Sequence, residues 1–282
     1  MKKITALTIL FLILGTSASA VDFYLKLGGG IGRINFNSIN QVLSDWEYEQ
    51  ILDAQSRASW NYISGEVMEL QGAFELEGEL KLDIHPNLGF SLSSGILHAD
   101  LPADKTNLVI ERTLGRYDVI HPIKVSGFPF ILSGYFYLPM GLETRAYLRA
   151  GAGLMSARLV EQTGFKRVEN PKYVIELDQN AVGSGRIYIA GLGISRKISQ
   201  GAVIFLEGSY RSAQIQDFKN KEQENNSDLL YSYQKYNSDL DLWSAVMRFH
   251  ANPPSGGDIR SVEKTAVDMS GFSIKCGIMI HF

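Results

Sequence analysis

The segment at residues 271–282 alternates in side-chain character at every position up to the last residue of the chain. One face is uniformly apolar and consists of Phe272, Ile274, Cys276, Ile278, Ile280 and Phe282. A strand with this period of two presents one face to an apolar environment, which is the pattern of a membrane-spanning β-strand. We therefore interpret the segment as the C-terminal assembly strand of a closed membrane barrel.

The amino terminus has the three parts of a secretory signal peptide. Lys2 and Lys3 form a positively charged start, residues 4–14 are apolar, and residues 18–20 are Ala-Ser-Ala, a small-residue cleavage site. The apolar run is shorter than the ~20 residues of a helical bilayer span, so we predict a cleaved signal peptide at residues 1–20 and a barrel domain at residues 21–282. No later apolar run is long enough for a spanning helix, so a membrane form must be a closed sheet.

Several internal segments show the same alternation and are separated by connections of two lengths. The short connections are at residues 85–87, 138–143 and 197–201. The long connections are at residues 37–68, 99–124, 161–185 and 213–238. Short periplasmic turns that alternate with long extracellular loops are typical of outer-membrane barrels. The sequence therefore predicts an all-β fold, a transmembrane antiparallel up-and-down β-barrel in the cell outer membrane.

The number of strands stays open between eight and ten. Seven segments up to Ser212 and the terminal strand give eight, and two periplasmic termini require an even number. Residues 239–250 also alternate, with Trp243 and Met247 on one side. If that segment crosses the membrane, a further strand within residues 257–268 raises the total to ten.

The inward positions of the predicted strands carry acidic and basic residues in equal number. The acids are Glu69, Glu75, Glu77, Glu79, Asp83 and Glu207, and the bases are Lys26, Lys81, Arg145, Arg149, Arg211 and Lys275. The interior of a small barrel is just wide enough for side chains to fill, and an unpaired buried ion is strongly unfavourable. We therefore predict a charge network that pairs across the lumen and closes it. The alternative is an acidic, cation-preferring path, which would make the chain a small porin or passive channel.

The composition excludes several kinds of function. A formal net charge of −3 offers no basic surface for nucleic acid. The single cysteine, Cys276, cannot form an internal disulfide, and we interpret it as a small apolar residue on the lipid-facing side. We predict no metal and no cofactor.

Three glycine-rich strands carry a resemblance to a known family. They are Tyr-Leu-Arg-Ala-Gly-Ala-Gly-Leu at residues 147–154, Ala-Gly-Leu-Gly-Ile at residues 190–194 and Phe-Leu-Glu-Gly-Ser-Tyr-Arg at residues 205–211. They resemble strands of the outer-membrane β-barrel family that includes opacity-type adhesins and surface antigens of Gram-negative bacteria. The resemblance implies an integral barrel that contacts outer-membrane lipid and displays long loops as an antigen or adhesin, with a host or surface ligand as a further partner. It also implies transient partners, namely the barrel-assembly machinery and periplasmic chaperones.

Two polar pairs lie at predicted extracellular strand ends and are weak candidates for catalysis. They are His98 with Asp100, and Asp239 with Asp241. A histidine base oriented by an aspartate, with two further carboxylates, could polarise a water molecule, and this is similar to the arrangement in the omptin family of outer-membrane proteases. The sequence lacks that family's surrounding motifs. We therefore predict that the chain is not an enzyme, and we retain the outer-membrane hydrolase as a lower-ranked alternative.

Overall fold

We describe the fold from a computed structural model of the chain. The structure describes residues 21–57, 59–113, 115–168, 174–221 and 228–282, and the predicted signal peptide lies outside these ranges. Within them the chain forms fifteen strands and one α-helix. In chain order the elements are β1 (Asp22–Ile34), α1 (Asn37–Ser56), β2 (Asn61–Val67), β3 (Gly72–His85), β4 (Leu88–Leu101), β5 (Thr106–Arg112), β6 (Gly115–Ile120), β7 (Ile123–Pro139), β8 (Thr144–Arg167), β9 (Val174–Lys197), β10 (Ala202–Asn220), β11 (Leu229–Asn237), β12 (Leu242–His250), β13 (Ile259–Lys264), β14 (Val267–Asp268) and β15 (Gly271–His281).

Eight of these strands form a closed antiparallel ring. Around the ring the order is β1, β3, β4, β7, β8, β9, β10 and β15, and β15 returns to pair with β1. The closing register runs from Tyr24 opposite His281 to Ile34 opposite Gly271. The strands β12, β13 and β14 lie outside the ring, because β12 and β13 pair with β11 and β14 pairs with β10. Of the two strand numbers that the sequence left open, eight is therefore the correct one.

The outer surface of the ring carries a band of exposed apolar side chains. Examples from five strands are Phe74, Leu132, Leu154, Leu206 and Ile274. A closed sheet satisfies its own backbone hydrogen bonds, so it can cross a bilayer when its outward side chains are apolar. The predicted fold is thus confirmed, and the chain is an outer-membrane β-barrel protein.

The two ends of the barrel differ in their connections. Short turns join β3 to β4, β7 to β8 and β9 to β10 at the end that also holds the start of β1 and the end of β15. This end is periplasmic, because outer-membrane barrels have short periplasmic turns. At the opposite, extracellular end β8 and β9 have 24 residues each, whereas a strand needs about 9–11 residues to cross a bilayer. Most of the expected loop at residues 161–185 is therefore paired strand.

The remaining elements, apart from the two-residue β14, form an extracellular cap, which we define as α1, β2, β5, β6, β11, β12 and β13. The strands β2, β5 and β6 extend the sheet beside β8, and β11 to β13 form a small sheet next to β10. The segment at residues 37–68, expected as a long polar loop, contains α1 and β2 instead. Across the described ranges, no helix combines the length and the apolar character needed to cross a membrane.

The helix α1 packs onto the extracellular part of the barrel interior. Its side chains Ile39, Val42 and Leu43 are buried in one hydrophobic cluster with inward-facing barrel residues such as Met155 and Ile215. The upper interior is therefore a packed apolar core rather than a water-filled space.

Candidate functional site

The lower part of the barrel interior holds paired charges, which we call the lumen network. Its acids are Glu75, Glu77, Glu79, Asp83 and Glu207, and its bases are Lys26, Lys81, Arg149, Arg211 and Lys275. These side chains come from β1, β3, β8, β10 and β15, whose alternation points every second residue inward. All are buried except Glu77, which is partly buried. The network therefore has five charges of each sign.

Glu207 is a centre of the lumen network and has no exposed surface. One of its carboxylate oxygens lies 2.7 Å from Lys26 Nζ and accepts a hydrogen bond from the Tyr147 hydroxyl at 3.0 Å. The other lies 3.1 Å from Arg149 Nη1 and 3.4 Å from Lys275 Nζ. One carboxylate thus holds three cations from three other strands.

Arg149 connects Glu207 to the acids of β3. Its guanidinium lies 2.5 Å from Glu77 and 3.6 Å from Glu79, and it donates hydrogen bonds to Ser93 and Ser133. Buried ions are tolerated when opposite charges and hydrogen bonds surround them. Arg149 meets this condition, whereas Glu79 is held by the charges of Lys26 and Arg149 alone and its carboxylate accepts no hydrogen bond. Together these side chains fill the lumen at this level.

Two residues predicted for the lumen do not join this network. Glu69 is exposed and precedes the first residue of β3. Arg145 is exposed at the start of β8, at the periplasmic mouth of the barrel. Glu69 lies before its strand and Arg145 lies at the start of its own, so neither side chain reaches the packed interior.

Three tyrosines line the interior on the periplasmic side of the network. Tyr135, Tyr137 and Tyr147 are buried and pack as one cluster, with the rings of Tyr135 and Tyr137 stacked at 5.9 Å. Lys26 donates to the Tyr135 hydroxyl at 3.1 Å. Lys81 Nζ lies 4.6 Å from the centre of the Tyr137 ring, a cation–π distance. Their alternation places these tyrosines on the inward face, which is the sequence signal for this cluster.

The four weak catalytic candidates are not brought together. His98 alternates with the buried Leu97 and Ala99, so it lies on the outer side of β4, where its Nδ1 lies 2.9 Å from Ser126 Oγ. Asp100 lies 3.9 Å from Lys124 on the same outer side. Asp239 and Asp241 lie in the turn between β11 and β12. His98, Asp100 and Asp241 thus have separate local partners, namely Ser126, Lys124 and Tyr236.

The small sheet of the cap presents an aromatic cluster, which we call the cap cluster and define as Tyr236, Trp243 and Arg260. The two rings lie 5.1 Å apart, and the Arg260 guanidinium lies 4.0 Å from the Trp243 ring. Both aromatic side chains are half-buried, and Arg260 is exposed. The Tyr236 hydroxyl donates to Asp241, and this hydrogen bond raises the pKa of Tyr236 above its usual value, so the phenol stays protonated at neutral pH. The sequence signal for this cluster is Tyr236, which follows Tyr231 and Tyr233 near the end of the polar stretch at residues 213–238 and is of a type that suits recognition surfaces. Nothing in the sequence indicated Trp243 or Arg260 as members of such a surface.

The C-terminal assembly strand faces lipid as its alternation predicts. Phe272, Ile274 and Phe282 are well exposed, and Cys276 is an exposed free thiol on the same side. Within the described part of the chain, no group of three or more His, Cys, Asp or Glu side chains is arranged to hold a metal ion.

Comparison with known proteins finds no match by sequence and a weak similarity among solved structures. No family model and no curated protein matches the sequence. Among solved structures, the chain is similar to the outer membrane protease OmpT from Escherichia coli, with a TM-score of 0.29 and 8% identity over 95% of this chain and 100% of that chain.

The prediction that the chain is not an enzyme has to be corrected on this comparison, because the matched protein is a protease. At a TM-score of 0.29, neither a substrate nor a catalytic residue of that protease is assigned to this chain.

Proposed function

We propose that this outer-membrane barrel displays its extracellular cap as a binding surface for a partner outside the cell, as a surface antigen or adhesin does. The observation that carries the proposal is the cap cluster of Tyr236, Trp243 and Arg260 on an ordered sheet at the extracellular end. Tyrosine, tryptophan and arginine are the residues that most often dominate binding energy at protein interfaces.

Within the cap, the small sheet of β11 to β13 is held in a fixed position by contacts with α1. Asp45 accepts a hydrogen bond from the Ala245 amide of β12 at 2.9 Å, and Glu49 accepts one from Asn237 at 2.9 Å. A preorganised surface loses less entropy on binding than a mobile loop does. The proposed role of the barrel is to anchor this surface.

The filled interior weighs against the small porin or passive channel. The lumen network occupies the lower interior, and the apolar core beneath α1 occupies the upper interior. A continuous aqueous path would have to separate both sets of contacts.

The test measures binding of vesicles that carry the full mature chain to a layer of cultured epithelial cells. We expect binding above that of empty vesicles, and we expect Trp243→Ala to weaken it by at least about tenfold, because truncating an aromatic residue that dominates an interface costs about 2 kcal/mol or more. The control is Lys235→Ala, an exposed residue on the adjacent strand β11. Binding that equals that of empty vesicles, or an unchanged affinity for Trp243→Ala, contradicts the proposal.

A further inference from the structure

A buried histidine and a buried glutamate lie where the barrel meets the cap, and the proposed surface role uses neither of them. His121 lies between β6 and β7, and Glu161 lies on the inward face of β8. Each side chain is 2% exposed, and His121 Nε2 lies 2.9 Å from Glu161 Oε1. We propose that protonation of His121 loosens α1 and β12 from the barrel, so that the cap opens more readily in acid.

Two elements of the cap pack against this pair. The Trp46 ring of α1 contacts the His121 ring at a steep angle, with the ring centres 4.9 Å apart. The Met247 carbonyl of β12 accepts a hydrogen bond from Gln179 at 2.9 Å, and the same amide group of Gln179 donates to Glu161 at 2.9 Å. The pair therefore lies between the barrel wall and the two elements that would move.

The second ring nitrogen of His121 has nothing to bond while the cap is closed. Nδ1 is buried and has no hydrogen-bond partner among the residues that the structure describes. A protonated imidazole has an N–H donor at both nitrogens, and a buried donor without an acceptor is unfavourable, more so when it is charged. Loosening of the cap admits water to Nδ1 and so favours the protonated ring.

A cation of the cap also opposes protonation of His121. Arg248 of β12 has its Nη1 4.0 Å from Glu161 Oε1, the same oxygen that lies next to His121 Nε2. A proton on His121 brings a second positive charge to that oxygen, and neighbouring like charges disfavour each other. Movement of β12 removes Arg248 but leaves Glu161 beside His121, because Ile123, two residues after His121, pairs with Glu161 in the barrel ring.

The other ionisable groups on the elements around His121 have their own contacts or face away. On α1, Asp45 and Glu47 accept hydrogen bonds from backbone amides of β12 and β2. On β6, Asp118 lies 3.2 Å from a lysine of β8. On β7 and β9, Lys124 and Asp178 are exposed and alternate with buried neighbours, so they lie on the outer side. Glu161 and Arg248 are therefore the charges that act on His121 at short range.

The two effects of cap closure act in the same direction. The attraction of Glu161 is present in both states, whereas the missing partner of Nδ1 and the repulsion by Arg248 act only in the closed one. Protonation therefore favours the open cap, and by linkage a fall in pH does the same. Histidine is the side chain that ordinarily gains its charge between about pH 8 and pH 5.

The test is hydrogen exchange read by mass spectrometry on the full mature chain in phospholipid vesicles, at about pH 7.5 and about pH 5. The exchange of an unstructured peptide at each pH corrects for the chemistry of exchange itself. We expect corrected exchange in α1 and β12 to be about fivefold or more faster at the lower pH, as about 1 kcal/mol for an unpaired buried donor implies. Exchange in β1 and β15 should not change. His121→Gln, which keeps an amide donor but does not titrate, should abolish the difference between the two pH values.

His250→Gln is the matched control, because His250 is a histidine of β12 itself, 3.2 Å from the Tyr233 hydroxyl. This variant should keep the full pH difference. Arg248→Gln changes a partly exposed residue, so it serves as a second test if His121→Gln does not fold. We expect it to reduce the pH difference by about twofold or more, which is the effect of a partly exposed charge pair.

Equal corrected exchange at the two pH values in the unmodified chain overturns the proposal. A pH difference that persists in full in His121→Gln or in Arg248→Gln also overturns it, as does a difference that His250→Gln abolishes. The exchange experiment contains no binding partner, so the acid-sensitive cap and the proposed surface role can each fail without the other.

Discussion

At the scale of single residues, the stability of the barrel depends on balanced charges in its lumen. Glu207 lies within 3.4 Å of three cations and has no exposed surface. We expect Glu207→Ala to lower the free energy of unfolding by about 3–5 kcal/mol, because it leaves buried cations without their shared anion. The measurement is urea unfolding of the barrel in phospholipid vesicles, followed by tryptophan fluorescence.

Glu69→Ala is the matched control, since it removes an acid of the same type from an exposed position. We expect it to change the free energy of unfolding by less than about 0.5 kcal/mol. If Glu207→Ala unfolds at the same urea concentration as the unmodified chain, the lumen network does not hold the strands together.

The regular alternation of the strands is what made individual residues predictable. It assigns Glu207 and Arg149 to the inward side because a paired strand cannot change its period without a bulge. It does not determine which acid meets which base, because those contacts join strands that are far apart in sequence. The alternation also mispredicts Glu69, because the alternating pattern of apolar and polar residues starts before β3 itself begins at Gly72.

At the scale of elements, α1 was the largest difference between expectation and structure. Its buried residues Ile39, Val42 and Leu43 have the spacing of one helix face, but the surrounding residues are polar and the segment lies between two strands. Residues 239–250 and 257–268 produced the opposite error, because their alternation suggested two further barrel strands that the ring does not contain. The strand β12 alternates like a barrel strand, yet it pairs with β11 in the cap, and its environment cannot be read from its own residues.

We expect Leu43→Ala to loosen the extracellular cap without opening the barrel. Leu43 is 2% exposed in the core beneath α1, and a Leu→Ala change at a buried site costs about 2–5 kcal/mol. Hydrogen exchange read by mass spectrometry should show faster exchange in α1 and β12 and unchanged exchange in β1 and β15. Ser44→Ala, at the adjacent exposed position, should leave all four elements unchanged. Equal protection of α1 in both variants would mean that the helix is not held by this core.

At the scale of the whole molecule, closure of the ring is what lets an apolar band on the outside coexist with a charged network in the lower interior. The termini, the turn lengths and the alternation indicated a barrel, because each reflects the membrane environment directly. The number of strands was not determined by these features, since two further alternating segments satisfied the same rules. The number of strands is decided by which strand pairs with β15 on the side away from β1, and that strand is β10.

The natural Cys276 allows this neighbour to be tested by a disulfide. Leu206 of β10 lies directly opposite Cys276 on the lipid-facing side. Paired antiparallel residues have Cα atoms about 4.5–5.5 Å apart, which suits a disulfide. We therefore expect Leu206→Cys to lose both free thiols on oxidation and to unfold more slowly than its reduced form.

Ile194→Cys is the control, because Ile194 pairs with Leu206 from the far side and lies about two strand spacings, roughly 9–10 Å, from Cys276. In a ten-stranded ring two further strands would separate Leu206 from Cys276, and both variants would keep their thiols free.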